Sequence, residues 1–184
     1  MQGMHVTVTA GPTREAMDPV RFLSNHSTGK MGYAIARSAK MRGAEVTLIS
    51  GPVALEPLDG VRMIPVTSAC DMREAVMQAL PQSDLVIKAA AVGDYRPATF
   101  QDDKIKKHDD DMSVSLVRNP DILAEIGEKR RDDQVICGFS METQNMLENS
   151  RAKLEKKKLD MICANNLKTE GAGFGIDTNV VTII

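Results

Sequence analysis

The stretch GYAIARSAKMRGAEVTLIS, residues 32–50, sets the fold class. Its first part carries small and apolar residues at helical spacing and ends at Gly43, and its second part, EVTLIS, is a short run rich in β-branched residues. The preceding run HVTVTA, residues 5–10, is of the same kind. Together they predict a strand, a helix and a strand, which make one βαβ unit.

The same alternation continues along the chain. Strands are predicted at RMIPV, DLVIKAAAV, QVICGFS, DMICANN and NVVTII, and helices at CDMREAVMQAL, PDILAEIGEKR and TQNMLENSRAKLEKK. Strands separated by helices predict an α/β fold with a doubly wound, mostly parallel Rossmann-like sheet and helices on both faces. We expect a single domain over residues 1–184, truncated at its C-terminus because it stops on an apolar strand.

Composition and charge exclude several classes of function. The 184 residues are 42% hydrophobic. Their net charge of −2 gives no basic surface to hold nucleic acid, and two Tyr, four Phe and no Trp leave few rings for base stacking, so we expect no nucleic-acid partner. The three cysteines are scattered, which indicates reduced thiols and a cytoplasmic protein. We expect no membrane partner, since no run reaches the ~18 apolar residues that a membrane span requires.

A donor-rich loop follows the first strand and leads into the first helix. Ligands of such sheets bind beyond the carboxyl ends of the strands, where a helix N-terminus offers free N–H groups and a positive dipole. We therefore expect phosphate near Ser27 and Gly29, with Gly29 and Gly32 allowing close approach to the backbone. The alternative is an ordinary helix cap at Ser27 or Thr28.

Two nucleotide-binding motifs are absent from this loop. A Walker A sequence would need Gly at position 24 and Ser or Thr after Lys30, but the chain has Ser24 and Met31. No G-x-G-x-x-G follows the first strand, and the second strand ends in ISGP where an NAD site places a ribose-binding acid. A nicotinamide cofactor is therefore disfavoured.

A second long loop, GDYRPATFQDDKIKKHDDDMS, covers residues 93–113 and is called the flap below. Polar loops of this length are either functional or solvated and mobile, and composition leaves both readings open. Asp94 lies just past the predicted strand, where a carboxylate either binds a metal ion carried by phosphates or caps a turn.

Seven motifs, taken together, resemble phosphopantothenoylcysteine synthetase in its bacterial form: AGPTRE, DPVRFLSNHSTGKMG, KAAAVGDYRP, KIKK, RNPDIL, GFSMET and DMICANN. This family joins 4'-phosphopantothenate to L-cysteine in coenzyme A biosynthesis, and its bacterial members use CTP. The resemblance implies an acyl-cytidylate intermediate, from which the cysteine amine displaces CMP.

The resemblance also implies catalytic residues. Asn25 matches the family asparagine that acts on the acyl-cytidylate, and Arg21 matches a nearby arginine whose guanidinium suits phosphate or carboxylate. Lys104 matches a flap lysine that closes on the triphosphate. Asp94 is the expected ligand of Mg²⁺.

Nucleotide contacts are implied at several strand ends and helix starts. With the helix start of Ser27 and Gly29, the expected CTP-binding residues are Ala89, Ala90, Ala91, Asp94, Lys104, Asn119, Pro120, Asp121, Ile122, Phe139, Lys153 and Lys157. For Phe139 the alternative is an ordinary core residue. For Lys153 and Lys157, which share a helix face at i, i+4 spacing, the alternative is a solvated surface.

The chain departs from the family pattern at three places. Lys88 stands where an apolar or small residue is expected, Gly93 replaces the commoner Ala, and the final hairpin and helix are missing. The family implies a homodimer, and a flavin-dependent decarboxylase as a fused or separate partner, for which this chain has no room. A non-catalytic nucleotide-sensing module with the same fold is the alternative function, and Lys104 discriminates between the two because a sensor needs no catalytic flap lysine.

Overall fold

A computed structural model describes residues 1–107, 111–142, 145–166 and 177–184 of the chain. The helices are α1 (Lys30–Met41), α2 (Ala69–Ala79), α3 (Ile122–Lys129) and α4 (Met146–Lys156), with a short 3-10 helix at Leu80–Gln82. The strands are β1 (His5–Ala10), β2 (Glu15–Ala16), β3 (Phe22–Leu23), β4 (Glu45–Ser50), β5 (Arg62–Pro65), β6 (Leu85–Lys88), β7 (Tyr95–Pro97), β8 (Leu116–Arg118), β9 (Val135–Glu142), β10 (Met161–Asn166) and β11 (Val181–Ile183).

Seven strands form one central sheet in the order β11-β10-β9-β6-β1-β4-β5. Every neighbouring pair is parallel except β10 with β11, which is antiparallel. The chain runs outward from β1 in one direction through β4 and in the other through β6. This reversal is the switch point beside which ligands of doubly wound sheets bind. The predicted α/β class and mostly parallel sheet are confirmed.

Apolar side chains from alternate strand positions pack on both faces of the sheet. On one face Val8 and Leu48 pack with α1, and on the other face Val86 and Ile136 pack with α2 and α3. Full burial of each such side chain contributes roughly 1.5–3 kcal/mol. Helices therefore cover both faces, as predicted.

The structure differs from the sequence prediction at short elements. The run DLVIKAAAV stays in the sheet only as far as Lys88, because Ala90 donates its N–H to Thr9 Oγ1 (3.1 Å) and Ala91 forms an isolated bridge with Pro12. The small hairpins β2–β3 and β7–β8 were not predicted, since strands of two or three residues carry no readable periodicity.

Among the described residues, no helix is both long enough and apolar enough to span a membrane.

Candidate functional site

The loops that follow β1 and β6 are joined by backbone hydrogen bonds at the switch point. Ala91 donates its N–H to Gly11 O (2.9 Å), and Thr13 donates its N–H to Ala91 O (3.3 Å). The Thr13 hydroxyl accepts from the Gly93 N–H (2.9 Å). We call this set, Gly11 to Thr13 with Ala91 to Gly93, the seam. The seam fixes the end of the alanine run, Ala89 to Ala91, beside the donor-rich loop that follows β1.

Asn25 is attached to the seam by its side-chain amide. Its Nδ2 donates to Ala91 O (2.7 Å), and its Oδ1 accepts from the Ser27 N–H (3.0 Å). A primary amide carries two N–H groups, so one remains for a further acceptor. The structure thus places the predicted Asn25, Ser27 and Ala91 together with a defined amide orientation.

The start of α1 differs from an ordinary side-chain cap. Gly29 is the cap residue with φ +80°, and no side chain caps the helix, so the Ser27 or Thr28 cap is not what forms. A Cβ on Gly29 would lie 2.7 Å from Val53 Cγ1. Gly32 faces β1 instead, where a Cβ would lie 2.5 Å from Ala10 Cβ. The expectation that Gly32 admits phosphate is therefore wrong: it lets α1 pack closely on β1.

A buried carboxylate organises the predicted Arg21. Asp18, 2% exposed, accepts hydrogen bonds at Oδ2 from Arg21 Nε (3.0 Å) and Nη2 (2.6 Å). Arg21 Nη2 also donates to Ile105 O (3.0 Å), and the Ile105 N–H donates to Asp18 Oδ2 (3.1 Å). The Arg21 hydrogen bond, against the opposing effect of burial, holds the pKa of Asp18 far below its usual range. This network ties the flap to the loop after β1.

The flap begins with β7, which pairs with β8 in an antiparallel hairpin. Lys104, Lys106 and Lys107 are exposed, and together with Arg21 they line a cavity of about 810 Å³, here the flap cavity. The structure therefore brings Arg21 and Lys104 to one site. Residues 104–107 form no strand, so side-chain alternation does not order these lysines.

A second cavity, of about 340 Å³, opens at the carboxyl end of β6. We call it the strand-end cavity. It brings together eight residues predicted to bind the nucleotide, from distant parts of the chain: Asp94, Asn119, Pro120, Asp121, Ile122, Phe139, Lys153 and Lys157. Its lining also includes Lys88, which sequence analysis noted only as a departure from the family pattern. Asn25, Ser27, Gly29, the alanine run, Arg21 and Lys104 do not line it.

Polar contacts fix the walls of the strand-end cavity. Asn119 donates from Nδ2 to Gly93 O (2.8 Å) and accepts at Oδ1 from Arg96 Nη1 (3.0 Å). Lys153 Nζ donates to Ser140 Oγ at 3.3 Å. The side chains that reach the cavity from α4 and from the start of α3 are thus held in place.

Asp121 links the two helices at this cavity. It caps α3 by accepting at Oδ1 from the Ala124 N–H (3.1 Å), and it forms an ion pair with Lys157 (3.0 Å). Desolvation opposes its ionisation, but these hydrogen bonds and the charges of Lys157 and Lys88 outweigh that effect and lower the pKa of Asp121. Asp121 is therefore an ionised, paired carboxylate.

Phe139 is half-buried and lines the strand-end cavity. A Cβ on the preceding Gly138 would contact Leu159 and Leu123, which places position 138 on the face that carries α3. Strand alternation puts the Phe139 side chain on the other face.

Asp94 is exposed beside Asn119, whose N–H donates to Asp94 O at 2.8 Å. Within the described residues, no group of three or more His, Cys, Asp or Glu side chains could hold a metal ion. A Mg²⁺ that binds through phosphates needs only one or two carboxylates, so Asp94 suits that role.

The end of β4 is occupied by the loop after β1. A Cβ on Gly51 would lie 1.7 Å from Pro12 O, so only glycine fits at this crossing. At the position where an NAD site has its ribose-binding acid, this chain therefore has Gly51 in close contact with the backbone of Pro12.

Fold and site together define a doubly wound α/β protein with a polar, lysine-rich crevice at the carboxyl edge of its parallel sheet. The family described as DNA/pantothenate metabolism flavoprotein C-terminal domain matches residues 1–184, and the chain belongs to this family. It is 55% identical over 184 residues to the coenzyme A biosynthesis bifunctional protein CoaBC of Bacillus subtilis (strain 168), covering 100% of this chain and 45% of that protein. The chain thus spans about half the length of the curated relatives it matches.

Two solved structures are similar to this chain. The crystal structure of the C-terminal domain of a coenzyme A biosynthesis bifunctional protein CoaBC has a TM-score of 0.84 and 46% identity, covering 100% of this chain and 82% of that one. A DNA/pantothenate metabolism flavoprotein from Streptococcus pneumoniae has a TM-score of 0.82 at 24% identity, covering 98% of this chain and 93% of that one, and supports the fold.

Proposed function

We propose that this chain is a phosphopantothenate–cysteine ligase that uses CTP in coenzyme A biosynthesis. The observation that carries the proposal is the strand-end cavity, which gathers eight residues that the synthetase motifs imply for the nucleotide. The similarity to CoaBC proteins over the whole chain supports the same pathway.

The proposed reaction has two steps. A carboxylate oxygen of 4'-phosphopantothenate attacks the α-phosphorus of CTP, and the bond to pyrophosphate breaks. The amine of L-cysteine then attacks the acyl carbon of the acyl-cytidylate, loses a proton and displaces CMP. Both steps build negative charge on phosphate or carbonyl oxygen, which preorganised donors stabilise.

The residues of this chain supply those donors. The second N–H of Asn25 is available for the acyl-cytidylate beside the seam, while Lys104 and Arg21 bring positive charge to the flap cavity. Lys153 and Lys157 bring positive charge to the strand-end cavity. Asp94 would hold Mg²⁺, which when bound neutralises phosphate charge.

We also propose a homodimer and a decarboxylase partner. The flap and its hairpin expose Tyr95 (47%), Phe100 (53%) and Leu116 (46%), an apolar surface that a second subunit would cover. The CoaBC relatives are named as bifunctional proteins and this chain spans about half of their length, which supports a flavin-dependent decarboxylase as a fused or separate partner. Cys70, Cys137 and Cys163 are free, which suits the cytoplasm.

One assay separates ligase from sensor. Purified protein is mixed with 4'-phosphopantothenate, L-cysteine, Mg²⁺ and either CTP or ATP, and CMP or AMP is measured. A ligase releases CMP only when both acyl and amine substrates are present, and far faster than it releases AMP. CTP binding without CMP release would favour the non-catalytic nucleotide-sensing module, and equal rates with ATP would contradict CTP specificity.

A further inference from the structure

Lys88 is the last residue of β6 and a wall of the strand-end cavity. It pairs in register with Gly138, and alternation places its side chain on the same sheet face as Val86, which packs against α2 and α3. Lys88 lines the cavity together with residues from the start of α3 and from α4.

The Lys88 ammonium has no hydrogen bond or ion pair with any residue that the structure describes. The other two lysines of the cavity are held: Lys157 pairs with Asp121 at 3.0 Å, and Lys153 donates to Ser140. Lys88 also lies within electrostatic range of Lys157, which opposes its charge, and of Asp121 and Asp94, which favour it. A partly desolvated cation without a hydrogen bond or ion pair to the described residues is costly for the fold.

Burial is the main effect on this group. Burial, together with the charge of the nearby Lys157 and against the opposing effect of Asp121 and Asp94, lowers the pKa of Lys88 to about 8. A bound anion would raise the pKa of Lys88 again, since it supplies a direct partner and favours the charged form.

We propose that Lys88 binds a phosphate group of the nucleotide in the strand-end cavity. The inference rests on the proposed function for the identity of the ligand, but the family resemblance assigns nothing to this position, where it expects an apolar or small residue. The chemistry required is that of an anion with several acceptor oxygens, and lysine serves it as a compact point charge.

The test measures the binding of cytidine, CMP, CTP and inorganic pyrophosphate by calorimetry. The variants are Lys88→Met, a second neutral variant Lys88→Gln, and the charge-conserving Lys88→Arg. The matched control is Lys40→Met, which removes the same charge from an exposed site on α1, across the sheet. Thermal melts accompany each variant, and Lys88→Met is expected to melt no lower than the wild type, because it removes a half-buried charge that has no direct partner among the described residues.

We expect Lys88→Met and Lys88→Gln to weaken CTP binding about 10- to 100-fold, the size of a lost charge-assisted hydrogen bond, and to leave cytidine binding unchanged. Lys88→Arg should retain part of the affinity, and Lys40→Met all of it. Unchanged CTP affinity in both neutral variants, or an equal loss for cytidine and CTP, would overturn the inference.

The pyrophosphate arm separates this inference from the proposed function. A wild-type protein that binds no nucleotide, yet binds pyrophosphate in a manner that Lys88→Met abolishes, would refute the CTP-dependent function and keep Lys88 as an anion ligand. Binding of neither probe by the wild type would refute both.

Discussion

The Oδ2 atom of Asp18 accepts a hydrogen bond from the backbone N–H of Ile105, which lies 87 positions later in the chain, at 3.1 Å. The same oxygen accepts from Arg21, so one buried carboxylate joins the loop after β1 to the flap. Ile105 lies between Lys104 and Lys106, and the position of both lysines depends on it. We therefore expect Asp18 to position these lysines for the proposed reaction.

We expect Asp18→Asn to lower kcat about 10²-fold, the effect of a misplacement of about 1 Å near the reacting groups. The amide lacks the charge that orders Arg21 and cannot accept as many hydrogen bonds. Asp102→Asn, an exposed change on the same flap, is the control. Steady-state CMP release measures both, and equal kcat in Asp18→Asn and the wild type would contradict the role.

Lys104→Gln should lower turnover about 10²- to 10³-fold, because one donor to developing phosphate charge is lost. The side chain is exposed, so the free energy of unfolding should change by no more than roughly 0.5 kcal/mol. Lys107→Gln, in the same segment, should have a mild effect because the synthetase resemblance gives a role to Lys104 alone. CMP release and thermal melts are measured for both variants, and normal turnover in Lys104→Gln would show that the flap is only a solvated loop.

Asn25→Asp should permit formation of acyl-cytidylate and stall its reaction with cysteine. The aspartate keeps an acceptor for the Ser27 N–H but loses the donor to Ala91 O, and places a negative charge beside that carbonyl. Asn25→Ala should show the same stall without the added charge. Rapid-quench analysis should then detect acyl-cytidylate, and equal slowing of both half-reactions would argue against a role confined to the second.

CTP binding should take up protons at pH 8.5. Free Lys88, with a pKa of about 8, is then mostly neutral, and a bound phosphate raises that pKa, so affinity falls as the pH rises above about 8. The other ionisable groups that line the cavity are Asp94, Tyr95, Arg118, Asp121, Lys153 and Lys157.

Calorimetry in two buffers of different ionisation enthalpy counts the protons, and the difference between wild type and Lys88→Met isolates the part due to Lys88. Identical proton uptake in the two proteins would show that Lys88 does not titrate on binding.

The sequence predicted the parallel sheet well because each long strand and helix carries its own periodicity. It missed the β2–β3 and β7–β8 hairpins, whose short strands depend on tertiary contacts, and it misjudged Gly32, whose partner on β1 is not visible in a local pattern. One cavity is shared by Asp94, Asp121 and Lys157. Only the family resemblance predicted this, because no spacing rule relates residues on three separate elements. For Lys88, the sequence showed only that a charged residue stands in an otherwise apolar strand.

The seam has a consequence for the order in which the protein opens. The Ala91 backbone donates a hydrogen bond to Gly11 and accepts one from Thr13, and the Thr13 hydroxyl accepts from the Gly93 N–H. Loss of one of these hydrogen bonds should therefore weaken the others. In hydrogen exchange with deuterated solvent, the amides of Thr13, Ala91 and Gly93 should therefore become labelled together, as one cooperative unit. Both loops would then retain or lose their order as a single body.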